Sequence, residues 1–107
     1  MKELYVPTHR RPSTPGVLLL EEFLRPLGIT QVAFAKRIGV TPARLNEIIK
    51  GKRAVTADTA LRLSRALGTS AEMWINAQKV VDLYDTLHSP AAKEIRKIRP
   101  LKYPPAA

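Results

Sequence analysis

The stretch TQVAFAKRIGVTPARLNEIIKG, residues 30–51, decides the fold, because it predicts two short helices joined by a tight turn. Thr30 and Thr41 stand where a side-chain oxygen can cap a helix, and Pro42 suits a first helical position because it has no N–H to satisfy. Gly39 supplies the left-handed backbone that such a turn needs. A turn this short makes the helices cross steeply, so the second is expected to stand out from the body.

Similar start and stop residues on both sides of this stretch predict an all-α chain. The predicted helices run from Pro15 to about Leu24, Gln31 to Ile38, Pro42 to near Lys50, from Thr56 through Leu67, and from Ala71 to about Leu87. No alternating apolar pattern predicts a strand, although a short one is left open in either tail. We therefore expect an arm (1–13), a helical domain (14–87, with the helix-turn-helix proper at about 30–50) and a basic tail (88–107), with both tails flexible.

Apolar spacing predicts which helix faces are buried. The expected core residues are Val32, Ala35 and Ile38 flanked by Phe34, then Leu45, Ile48 and Ile49, then Ala60, Leu61, Leu63 and Leu67. The fifth helix spreads Trp74, Ile75, Val81 and Leu83 over more than one face. Two interpretations of Trp74 stay open: it fills the core under the first helix, or it belongs to a dimer surface on the fifth.

The outer face of the protruding helix carries side chains that can read bases in the major groove of DNA. Arg44 can donate to guanine O6 and N7, Asn46 can pair with adenine N6 and N7, and Glu47 can accept from cytosine N4. Ala43 can contact a thymine methyl group. The candidate DNA-binding residues are Gln31, Thr41, Ala43, Arg44, Asn46, Glu47, Lys50, Lys52 and Arg53.

Phosphate contacts are expected at the two ends of this unit. Lys50, Lys52 and Arg53 lie where the protruding helix runs out into a loop. Gln31 can bring its amide and the N-terminus of its helix to a phosphate. Six basic residues and one acidic residue lie between Lys36 and Arg53, so the local charge agrees with this interpretation.

The whole chain is strongly basic, with 18 Lys and Arg against 9 Asp and Glu and a net charge of +9 over 107 residues. Such a balance favours a polyanionic partner: nucleic acid, an anionic membrane surface or an acidic protein. Arg10 and Arg11 in the arm could reach DNA or a protein partner. The tail cluster could contact DNA or stay solvated; it comprises Lys93, Arg96, Lys97, Arg99 and Lys102.

Residues for catalysis or metal binding are scarce, and we expect no enzyme activity, cofactor, metal or small-molecule substrate. The chain has no cysteine, and its two histidines, His9 and His88, lie in the predicted tails. Asp82 and Asp85 alone make a poor cation site. A cytoplasmic location is expected, because no secretory signal is recognisable and the longest aliphatic run, Val17 to Leu20, is far too short for a membrane span.

Three segments resemble the HigA antitoxin family of the Xre/lambda-repressor-like helix-turn-helix superfamily. They are PGVLLLEEFLRPLGITQ (15–31), LNEIIKGKRAVTADTALRLSRALGTS (45–70) and EMWINAQKVVDLYD (72–85). The resemblance implies a five-helix lambda-repressor-like domain that dimerises and binds a palindromic double-stranded operator. It also implies a protein partner, a HigB-type toxin that cleaves mRNA on the ribosome and belongs to the RelE superfamily.

The resemblance implies that the superfamily's DNA-contact positions fall on Gln31, Ala43, Arg44, Asn46, Glu47 and Lys50. Pro42 and Ala43 depart from the family pattern, in which polar residues are frequent there, and this reduces the expected number of base contacts. Two other hypotheses stay open: a stand-alone regulator without a toxin, and a protein-interaction module with an acidic partner. If the chain dimerises on DNA, its protruding helices are expected about 34 Å apart.

Overall fold

Hydroxyl side chains start the five main helices. Thr14, Thr30, Thr41, Thr56 and Ser70 each accept a hydrogen bond from the backbone N–H three residues further on. In the computed structural model, which describes residues 10–102, six helices and no strand are found. They are α1 (Pro15–Leu19, continued by Leu20–Leu24 and Arg25–Leu27), α2 (Gln31–Ile38), α3 (Pro42–Ile49), α4 (Ala57–Leu67), α5 (Ala71–Leu87) and α6 (Ala91–Arg96). The expected all-α fold is confirmed.

The first helix is longer than predicted, because it continues past Pro26 to Leu27 and ends at Gly28. Its middle segment, Leu20–Leu24, is a π-helical turn, in which the Arg25 N–H donates to the Leu20 carbonyl. A wider turn shifts the carbonyls that a proline ring would otherwise strike in a regular α-helix. The proline is therefore tolerated inside the helix instead of ending it.

A sixth helix, α6, lies where the sequence predicted a flexible tail. It packs against α5 and buries Ala92. Only that one side chain is fully buried, so the pattern of α6 carries little amphipathic signal. The predicted count of five helices is therefore too low by one within the described residues.

The core is formed by residues of α1, α2, α3, α4 and α5, and Trp74 is part of it. Trp74 is fully buried, its ring centroid lies 5.5 Å from that of Phe23 on α1, and its Nε1 donates to Thr69 Oγ1 at 2.7 Å. The expectation that Trp74 fills the core under the first helix is confirmed. Leu45, Ile48 and Ile49 are buried as predicted.

Two predicted core residues are exposed instead. Val32 is 64% exposed and Leu61 is 62% exposed. On α2, Ala35 and Ile38 are buried as predicted, and the larger Phe34, expected only to flank the core, is buried in place of Val32. A helix of two turns, such as α2, has too few apolar positions for the sequence to show which face turns toward the core. Burying an aromatic ring stabilises the fold more than burying a valine.

Among the helices within residues 10–102, none combines the length and the apolar character that a membrane span requires.

Candidate nucleic-acid interface

The turn between α2 and α3 fixes the geometry of the candidate site. Gly39 adopts a left-handed φ of 76°, and the Val40 N–H donates to the Ala35 carbonyl at 3.0 Å. These features end α2 and reverse the chain before α3 starts at Pro42. Since α3 buries one face against the body, its opposite face lies at the surface.

Most of the predicted contact residues do lie on this surface. Ala43 on α3, Lys50 just after its end, and Lys52 and Arg53 in the following loop are exposed. Thr41 is also exposed, but its Oγ1 accepts from the Arg44 N–H at 3.1 Å, so the hydroxyl oxygen caps α3. A cluster of three cations thus lies at the C-terminal end of α3.

Gln31 and Asn46 are brought together across the turn. The Asn46 Nδ2 donates to Gln31 Oε1 at 3.1 Å, and both side chains are half-buried. This bond fixes the amides relative to each other and leaves the Gln31 N–H groups, the Asn46 Oδ1 and one Asn46 N–H for a ligand. The pair can therefore present fixed donors and acceptors to a phosphate and to a base.

Glu47 and Arg53 pair with each other instead of standing free. Arg53 Nη2 donates to Glu47 Oε1 at 3.2 Å, and both side chains are about half exposed. The backbone N–H groups of Lys52 and Arg53 donate to the Glu47 carbonyl, which closes the loop tightly onto α3. A role for Glu47 at cytosine, or for Arg53 at a phosphate, requires at least part of this exposed pair to open.

Arg44, expected on the outer face of α3, is held against α4. Its Nη2 donates to Asp58 Oδ1 at 3.2 Å and to Thr59 Oγ1 at 2.8 Å, so the guanidinium lies against α4. Its Nε is buried and finds no hydrogen-bond acceptor among the residues that the structure describes. Position 44 lies one helical turn before the buried Ile48, at the edge of the core-facing side of α3.

Asp58, Thr59 and Arg62 belong to the site but were missed by the sequence analysis. Arg62 Nε donates to Asp58 Oδ1 at 2.7 Å, and Arg62 Nη1 donates to the Ile38 carbonyl at 2.8 Å. The hydrogen bond from Arg62, followed by that from Arg44, lowers the pKa of Asp58 below its ordinary value. The i, i+4 spacing of Asp58 and Arg62 is a recognisable ion-pair signal, but nothing local indicates that Arg44 joins it.

The loop after α3 is also tied to α5. Gln78 Oε1 accepts from the Val55 N–H at 2.9 Å, while Gln78 Nε2 donates to Asp82 Oδ1 at 2.9 Å. The basic loop is therefore held against the body on two sides, at α3 and at α5.

The arm residue Arg11 is engaged within the chain. Its Nε and Nη2 donate to the two oxygens of Asp85 on α5 at 2.8 and 2.9 Å, and this pairing lowers the pKa of Asp85. Arg11 would have to leave Asp85 to reach DNA or a protein partner. Arg10 is exposed, and His9 lies outside the described residues. Asp82 and Asp85 thus hold side chains of this chain, and no group of three or more metal-ligating side chains occurs within residues 10–102.

The site as a whole offers a protruding polar helix face, two fixed amides and a cationic end. This set of groups can donate and accept hydrogen bonds in a groove about the width of an α-helix while cations neutralise phosphates beside it.

Comparison with known sequences agrees with this geometry. A helix-turn-helix family model matches residues 20–74. Virulence-associated protein I of Dichelobacter nodosus is 49% identical over 69 residues, and the match spans 64% of each protein. Antitoxin HigA-1 of Vibrio cholerae is 40% identical over 94 residues, which cover 88% of each chain.

Solved structures show the same arrangement of helices. The Pseudomonas aeruginosa antitoxin HigA, solved with the higBA promoter, is 34% identical with a TM-score of 0.80, covering 86% of this chain and all of that one. Antitoxin GraA in complex with its operator is 33% identical with a TM-score of 0.80, covering 92% of this chain and all of that one. Since sequence and fold agree over most of its length, the chain belongs to the HigA-type antitoxins of the Xre-like helix-turn-helix superfamily.

Proposed function

We propose that this protein is the antitoxin and autorepressor of a type II toxin–antitoxin module. It binds a palindromic operator as a dimer and neutralises a RelE-like toxin that cleaves mRNA, and its site of action is the cytoplasm. The observation that carries the proposal is the outward polar face of α3, with the Gln31–Asn46 pair at its side and cations at its end. Operator complexes of two relatives with the same fold support it.

On DNA, α3 lies in the major groove. Ala43 contacts a thymine methyl group and Asn46 reads a base edge, while Gln31 meets a phosphate. Lys50, Lys52 and Arg53 neutralise phosphates, and Thr41 holds the first turn of α3 in shape. Glu47 takes part in base reading once it leaves Arg53.

The dimer is supported by apolar side chains that the single chain leaves in solvent. They lie on the second half of α5, on α6 and just beyond it: Leu83, Leu87, Ile95, Ile98 and Leu101. These five are among the nine large apolar side chains that are exposed within the described residues, and exposed apolar side chains that lie side by side are typical of an interaction surface. A second copy covering these residues would give a palindromic operator the two-fold symmetric reader that it requires.

A gel-shift titration with the protein's own promoter tests the proposal, with and without the product of the adjacent gene. We expect retardation of the promoter at concentrations that leave a scrambled duplex free, and a change in that retardation when the adjacent product is added. The adjacent product is expected to be a small RelE-like protein. If the adjacent product does not change the retardation, a stand-alone regulator is favoured. If the protein does not prefer the promoter to the scrambled duplex, operator binding is contradicted.

Substitution of Lys52 by alanine tests the phosphate contacts. We expect weaker binding to operator and scrambled DNA alike, and a slope of log K against log salt that is smaller by about 0.9. Lys79→Ala on α5 removes the same charge from an exposed position outside the candidate interface and is expected to leave the slope unchanged. Fluorescence anisotropy titrations between low and moderate salt measure the slope for each protein. Equal slopes for wild type and Lys52→Ala would remove Lys52 from the interface.

A further inference from the structure

One carboxylate holds two guanidinium groups at the start of α4. Asp58 Oδ1 accepts from Arg62 Nε at 2.7 Å and from Arg44 Nη2 at 3.2 Å. Asp58 lies in the first turn of α4, where the partial positive charge of the helix N-terminus favours an anion. The carboxylate is therefore charged at neutral pH and links α3 to α4.

Arg44 has a second anchor deeper in the molecule. Its Nη2 also donates to Oγ1 of Thr59, which is 1% exposed. The Arg44 side chain is only 30% exposed, and its Nε is fully covered. Moving the guanidinium into solvent would leave a buried hydroxyl without this charged donor, which is unfavourable.

Arg62 carries the connection on to α2. Its Nη1 donates to the Ile38 carbonyl at 2.8 Å, at the C-terminal end of α2 where a cation is favoured. A continuous chain of hydrogen bonds thus runs from α3 through Asp58 and Arg62 to the end of α2. Both helices of the helix-turn-helix are tied to the same side of α4.

We propose that Arg44, Asp58 and Arg62 form a clasp that positions α3, and that Arg44 sets operator selectivity as a positioning residue and does not contact a base. The inference rests on the proposed function, in which α3 reads the operator. Base readout requires side chains held within about 0.5 Å of their productive positions. Loosening the clasp therefore weakens all base contacts of α3 together, while phosphate contacts from the loop persist.

The test compares Asp58→Asn, Arg44→Met and the double variant with the wild-type full chain. Dissociation constants are measured for the operator, for operators altered at each base pair, and for a scrambled duplex. Each single variant is expected to lower the preference for the operator by about tenfold, at all positions read by α3. The double variant is expected to lose no more than either single variant, because both break the same clasp.

Two further variants separate positioning from charge and from folding. Glu94→Gln removes one negative charge from α6 and is expected to leave the preference unchanged. Arg44→Lys keeps the charge, but its side chain is one atom shorter than the arginine whose Nη2 bridges Asp58 and Thr59, so it is expected to behave like Arg44→Met. Thermal unfolding and far-ultraviolet circular dichroism confirm that each variant is folded; Asp58 is 58% exposed, which favours tolerance of asparagine.

Several results would overturn the clasp. Relaxation at a single base pair in Arg44→Met, with no change in Asp58→Asn, would make Arg44 a direct reader. An equal gain in affinity for operator and scrambled DNA in Asp58→Asn would show that only its charge matters. If the wild-type protein has no preference for the operator, the proposed function fails and the clasp fails with it. If the wild-type protein prefers the operator and the variants prefer it equally, the clasp alone fails.

Discussion

At the scale of single residues, Gly16 determines how closely α1 approaches α3. A Cβ atom at this position would overlap the carbonyl oxygen of Ile48 and lie 2.7 Å from the Cα of Ile49. Both are backbone atoms of α3, so neither can rotate out of the way. The missing side chain therefore allows the two helices to touch, and it helps to place the candidate DNA-binding helix.

The substitution Gly16→Ala is expected to lower the free energy of unfolding by about 3 kcal/mol, because α1 and α3 must move apart. Gly68→Ala is the matched control: its φ of 72° strains an alanine, but nothing lies within 4 Å of the added carbon. Its expected cost is about 1 kcal/mol. Urea denaturation of both variants measures the difference. Equal costs would show that the close approach of α1 and α3 is not what Gly16 provides.

The burial of single residues could be predicted from the sequence where it depends on spacing within one helix. It could not be predicted where the position of a side chain depends on a partner far away in the chain. The buried positions of α3 follow from its spacing, since Leu45, Ile48 and Ile49 leave one consistent face. Arg44 was placed outside because its partners, Asp58 and Thr59, come 14 and 15 residues later in the chain. The rotation of α2, which buries Phe34 instead of Val32, depends on the space that the other helices leave.

At the scale of helices, boundaries were predictable because capping is a local property. A hydroxyl residue before each main helix and a glycine after α1, α2 and α4 fix the ends without reference to the rest of the fold. The passage of α1 through Pro26 and the formation of α6 were not predictable in this way. The first uses a π-helical turn, and the second depends on packing of Ala92 against α5.

The packing of α5 leads to a prediction for Trp74 and Leu83. Trp74→Ala is expected to cost about 3–5 kcal/mol, because a fully buried ring, its contact with Phe23 and its hydrogen bond to Thr69 are lost. Leu83→Ala on the same helix is expected to cost only about 1 kcal/mol in the single chain, since Leu83 is about half exposed. Chemical denaturation at low protein concentration measures both. A cost for Trp74→Ala below that of Leu83→Ala would contradict the assigned core.

At the scale of the whole molecule, charge favours binding to DNA in general, and the arrangement of the proposed dimer would determine which sequence is selected. The net charge of +9 gives a general affinity for DNA, but it does not by itself select a sequence. In the proposed dimer, selection would come from two α3 helices held at a fixed separation, which matches the two-fold symmetry of a palindrome. Sequence reasoning could predict one reading helix; it could not predict the separation, because that depends on how a second chain packs.

Operator spacing therefore tests the assembled molecule. In the proposed dimer, two α3 helices about 34 Å apart reach half-sites one helical turn apart on the same side of DNA. Inserting about five base pairs between the half-sites turns one half-site to the opposite side, so a rigid dimer can hold only one of them. We expect the inserted operator to bind about as weakly as a single half-site in an anisotropy titration, with hydroxyl-radical protection confined to one half. Unchanged affinity and protection of both halves would mean that each subunit binds independently, and the two-fold reader would have to be abandoned.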